Sequence, residues 1–88
     1  MNYTRYTTSR LNLYCLSPYV SIQVFPNFSL IHNNKTEVSI KVNVSCEKIK
    51  HIIATFSTPS NLDLFFEENN TEDYKQIISQ LINHGVIE

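Results

Sequence analysis

Thr36-Glu37-Val38-Ser39-Ile40-Lys41-Val42-Asn43-Val44 is the stretch that decides how this chain folds. Val38, Ile40, Val42 and Val44 alternate with Ser39, Lys41 and Asn43, and a period of two marks a strand with one buried face. Upstream, Val20, Ile22 and Val24 alternate with Ser21 and Gln23, which predicts a strand of the same kind over residues 19–25. Between them, Pro26-Asn27 reads as a turn, because proline presets φ and asparagine tolerates turn geometry. Residues 28–32 then read as a strand and 33–35 as a second turn. Three short strands joined by tight turns make an antiparallel meander. Such a sheet holds only if something packs on its apolar face.

The second half of the chain provides that cover. Ser45 is placed to cap a helix over residues 46–56, with Ile49, Ile52, Ile53 and Phe56 as its stripe. Thr58-Pro59-Ser60 breaks it, and Ser60 with Asp63 reads as a capping-box-like start to a short second helix facing inward through Leu62, Phe65 and Phe66. After a polar loop, Asn70 or Thr71 caps a third helix, and with Asn70 at the cap Asp73 completes an approximate capping box. Glu72 and Asp73 favour the positive end of its dipole. Tyr74, Ile77, Ile78, Leu81 and Ile82 recur at helical spacing. His84 lies in the last turn, and Gly85, the only glycine, suits the left-handed position that ends a helix. Val86 and Ile87 begin another extended piece.

Residues 1–10 are polar and aperiodic and read as a flexible arm. Leu11, Leu13, Tyr14 and Leu16 suggest a short extended lead-in that Ser17-Pro18 interrupts. The expected organisation is an arm over residues 1–15 and one domain over 16–88, without repeats. At 88 residues, 42% hydrophobic and 17% charged, the chain is expected to be globular, with a small core. No apolar run approaches the roughly 20 residues that cross a membrane. The first ten residues lack the apolar core of a signal peptide, so the cytoplasm is the expected compartment. The sequons at Asn2, Asn27, Asn34, Asn43 and Asn69 are then inert. Cys15 and Cys46, far apart and without partners at zinc-ligand spacing, are expected to be reduced thiols and not metal ligands.

Nothing in the sequence assembles a catalytic site, a metal site or a cofactor site. One glycine rules out a Gly-rich phosphate loop, and His32, His51 and His84 read as surface or capping residues. The chain is therefore expected not to be an enzyme. Net charge is −1 but unevenly spread. Up to His51, Arg5, Arg10, Lys35, Lys41, Lys48 and Lys50 oppose Glu37 and Glu47, a balance of +4; from Ile52, Lys75 opposes Asp63, Glu67, Glu68, Glu72, Asp73 and Glu88, a balance of −5.

Three stretches, in order, resemble the PqqD-like peptide-recognition domains of ribosomally synthesised, post-translationally modified peptide (RiPP) biosynthesis. They are Leu16-Ser17-Pro18-Tyr19-Val20-Ser21-Ile22, then Val44-Ser45-Cys46-Glu47-Lys48-Ile49 through Phe56 with Thr58-Pro59, and Asp73-Tyr74 through Leu81-Ile82-Asn83-His84-Gly85-Val86-Ile87. Together they span about residues 16–87. The resemblance implies an α+β, winged-helix-like fold, a three-stranded antiparallel meander followed by three helices. It implies a non-catalytic domain that binds the leader region of a precursor peptide and delivers it to a modifying enzyme, in cis or in trans. The peptide would add as a strand along the third strand of the meander, in the groove beside the third helix. Val38, Ile40, Lys41 and Val42 would form one wall and Tyr74, Ile77, Ile78 and Leu81 the other, with Lys41 pairing an acidic leader residue. Proline at Ile40 or Val42 would then remove an edge donor.

Two other readings compete. A winged helix could read DNA, but its third helix would have to be basic, and this one begins Glu72-Asp73. A generic assembly subunit that binds a folded protein is the other.

Overall fold

The computed structural model describes residues 13–88, so the expectation of a flexible arm over residues 1–10 lies outside the described residues. The fold is α+β, a three-stranded antiparallel sheet followed by three helices, as the periodicities predict. The elements in order are β1 (Leu13–Tyr14), β2 (Val20–Val24), β3 (Ser29–Asn33), β4 (Val38–Val42), α1 (Cys46–Phe56), β5 (Ser60–Asn61), α2 (Leu62–Glu68) and α3 (Glu72–Asn83). The main sheet has the order β2-β3-β4, with Ile31 opposite both Ile22 and Ile40. The pair β1-β5 forms a second, two-stranded sheet.

Helical stripe meets sheet face in one core, built around Ile31, Val42, Ile49, Ile52, Phe56, Phe65, Ile78 and Leu81. Phe65 is tilted against Phe56 and edge-on to Tyr74, with ring centroids 5.4 Å away in each case.

Several local expectations are corrected. The arm was expected to reach residue 15, yet Leu13 and Tyr14 pair with Asn61 and Ser60. Cys15 exchanges two 2.9 Å backbone hydrogen bonds with Glu88, and Leu16 bridges Ile87. The extended piece after Gly85 is thus a partner for the lead-in, with Val86 and Ile87 in the core. The strand expected over residues 36–44 is shorter, because Glu37 takes a positive φ of 61° in the turn before it. Ser45 flanks α1 without a side-chain cap. Ser60 donates to the Thr55 carbonyl at 2.7 Å, so Asn61 caps α2 instead, its Oδ1 accepting from the Leu64 N–H. At α3 the cap is Thr71, whose Oγ1 accepts from the Tyr74 N–H. Gly85, at φ 71°, ends α3 as expected.

Candidate functional site

β4 is an outer strand of the sheet. Which of its backbone groups face outward follows from the ladder. The Phe25 N–H donates to the Phe28 carbonyl at 2.9 Å, so in β3 the alternate residues Leu30 and His32 also turn their backbone groups toward β2. Ser29, Ile31 and Asn33 therefore turn theirs toward Val42, Ile40 and Val38 of β4. Ser39 and Lys41 are left with N–H and C=O pointing out along the open edge, where no described strand pairs with them. The donors at this edge thus belong to Ser39 and Lys41, not to Ile40 and Val42.

The apolar face of β4 is covered unevenly. Val42 is 1% exposed and Ile40 half-buried, while Val38 is 44% exposed. Two hollows lie between β4 and α3. One, of about 380 Å³, is lined by Thr36 and Val38 on one side and by Ile82, Asn83, His84 and Gly85 on the other. The second, of about 250 Å³, lies between Asn43 and Val44 and the Asp73, Gln76 and Ile77 side of α3, with Ser45 and Lys48. Lys48 Nζ sits 2.7 Å from Asp73 Oδ2 and closes that end. Six residues of extended chain separate Val38 from Val44, or roughly 20 Å, so the hollows mark the two ends of one line along the edge.

The eight residues expected to form the site divide into three groups. Val38 and Ile77 line the hollows, Ile77 from a buried position at 8% exposure, and Ile40 lies on the strand between them. Val42, Ile78 and Leu81 are each 1% exposed and belong to the core, closed to a ligand. Lys41 and Tyr74 face elsewhere. Lys41 projects from the other face of the sheet, its Nζ 4.7 Å from the centre of the Phe28 ring. Tyr74 turns toward α1, with its hydroxyl 3.1 Å from His51 Nδ1. Ile82, Gln76 and Asn83 belong to the cleft and were missed; Ile82 was already visible in the helical stripe as its outermost member.

On the outer face, His32 Nδ1 is 2.7 Å from Ser39 Oγ, and His32 Nε2 is 3.7 Å from Glu37 Oε2. The order of groups is that of a nucleophile, a base and a carboxylate. An acyl-transfer centre also needs two donors converging on one oxygen at about 3 Å. The free N–H groups here, of Ser39 and Lys41, are two residues apart in a strand, about 7 Å, and cannot both reach one atom. The triplet is a cross-strand contact that becomes visible only once the register places His32 opposite Ser39.

Among the described residues no group of three or more His, Cys, Asp or Glu side chains could hold a metal ion, and no helix is long and apolar enough to cross a membrane. Cys15 and Cys46 are free and half-buried. The chain matches no family model, no curated protein and no solved structure.

Proposed function

We propose that this protein is a non-catalytic peptide-recognition domain that takes the leader of a ribosomally made precursor peptide as a fourth strand beside β4. One observation carries the reading: an outer strand, with the backbone groups of Ser39 and Lys41 unpaired among the described residues, has an open hollow near each of its ends. Main-chain hydrogen bonds to such an edge give affinity that tolerates sequence, and hollows for alternate side chains give selectivity. A peptide residue opposite Val38 would seat an apolar side chain against Ile82. One near Val44 would meet the amides of Asn43 and Gln76.

The resemblance of residues 16–87 to PqqD-like domains supports the same reading, with a winged-helix-like arrangement, a cytoplasmic setting and a peptide-modifying enzyme as the second partner, fused or separate. DNA reading is disfavoured because α3 begins with Glu72 and Asp73 and carries only Lys75 as a cation. The test is fluorescence polarisation with a labelled leader peptide encoded beside this gene. Saturable binding at micromolar concentration that Val38→Asp removes is the expected result, and no binding at tens of micromolar overturns the proposal.

A further inference from the structure

The face of the sheet turned away from the helices carries a feature that leader recognition does not use. Directly opposed residues form two rows across it, Gln23–Leu30–Lys41 and Ser21–His32–Ser39. These six line an open hollow of about 470 Å³, with Leu30 at its centre and 39% exposed. A lysine lies over an aromatic ring toward each end. Lys41 Nζ is 4.7 Å from the centre of the Phe28 ring, and Lys35 Nζ is 5.5 Å from that of Tyr19. From Phe28 to Asn34, beside Lys35, is six residues of strand and turn, about 20 Å or less.

We propose that this outer face is a second docking surface, for an acidic segment of a partner protein with apolar side chains at its centre. Charge selects the occupant. Among the described residues the face carries Lys35 and Lys41 against Glu37, and no carboxylate lines the hollow itself. The helical side is the reverse, with Asp63, Glu67, Glu68, Glu72 and Asp73 against Lys75 on α2 and α3, and Glu47 against Lys48 and Lys50 on α1. The lysines are held over rings, so a carboxylate arriving at either end meets an ammonium group already partly ordered. Opposed charges of this kind steer encounter and fix register more than they add affinity, which the apolar centre must supply. An open hollow on a sheet suits a macromolecular segment better than a small molecule, which binds where most of its surface is buried. Single-stranded nucleic acid fits poorly. Bases stack on free ring faces, but Phe25 and Phe28 stack on each other at 4.7 Å with Lys41 over the latter.

The inference does not depend on the cleft beside β4, and Leu30, on the central strand, separates the two. The experiment is a titration of the ¹⁵N-labelled chain with the acetylated peptide Asp-Leu-Thr-Leu-Thr-Glu, followed by amide shifts. Shifts centred on Ser21, Gln23, Leu30 and His32 are expected, weakening with salt. Leu30→Glu and Lys41→Glu should each weaken binding roughly tenfold, with the amide of the buried Leu81 on α3 unmoved as the control for folding. Equal binding of the version with lysine at both ends overturns the proposal. So do shifts confined to the β4 edge and its cleft, at Val38, Ser39, Lys41, Gln76 and Ile82, displacement by oligothymidylate at lower concentration, or no shift at about 1 mM peptide.

Discussion

A Cβ built on Gly85 would lie 3.4 Å from the Nδ2 of Asn33. Asn33 ends β3 and organises the hairpin turn, its Oδ1 accepting from the N–H groups of Lys35 and Thr36. Gly85 ends α3 at φ 71° and returns the chain toward Leu16. The turn that launches β4 and the bend that closes the domain therefore lie side by side, and the larger hollow lies beside them.

Gly85→Ala is expected to cost about 1–2 kcal/mol, since a side chain at positive φ is strained even though its methyl would only touch Asn33. Chemical denaturation measures this. An unchanged midpoint would mean that the backbone relaxes to negative φ without loss.

Proline scanning of β4 distinguishes its two edges. Ser39→Pro and Lys41→Pro remove only outward N–H groups, which an edge strand tolerates, so the domain should remain folded while leader binding falls by at least about tenfold. Ile40→Pro removes a bond to Ile31 on the central strand and should destabilise the sheet itself. Circular dichroism beside polarisation binding reports both. Binding that survives Ser39→Pro and Lys41→Pro rules out β4 as the docking edge.

Side chains of the core and of the cleft should separate by the property they affect. Ile78→Ala and Leu81→Ala each empty a closed site and are expected to cost about 2–5 kcal/mol. That is a large part of the stability of a domain this small. Val38→Ala, at a 44% exposed position, should leave the melting midpoint nearly unchanged and weaken peptide binding. The opposite pattern would place Val38 in the core and the ligand elsewhere.

Lys48 and Asp73 join α1 to the first turn of α3 at 2.7 Å, but both side chains reach solvent. Removing the pair with Lys48→Met should cost no more than about 1 kcal/mol. The difference from the parent chain should shrink in high salt, where the pair is screened. Thermal melts at low and high ionic strength measure it, and a salt-independent loss would assign the effect to packing of the lysine stem.

How much of this was legible beforehand depended on the range of the interaction involved. Both long helices, the break at Pro59, the end at Gly85 and the three strands of the meander follow from period and local chain geometry. These act over a few residues and can be read along the chain. Asn61 displaced Ser60 as a cap because the Ser60 hydroxyl found the Thr55 carbonyl, a contact set by the bend between two elements. Leu13 through Leu16 joined the fold because Asn61, Ile87 and Glu88 offered partners from the other end of the chain.

The candidate site shows the same division more sharply. Alternation by itself determined that Val38, Ile40 and Val42 share a face and that Lys41 stands on the other. Only tertiary structure decided that coverage runs out along that face, from closed at Val42 to open at Val38. Only the ladder decided which backbone groups are free, since pairing at Phe25 and Phe28 sets the phase of every bond across the sheet. Period is a property of the chain, whereas exposure and hydrogen-bond phase belong to what packs beside it.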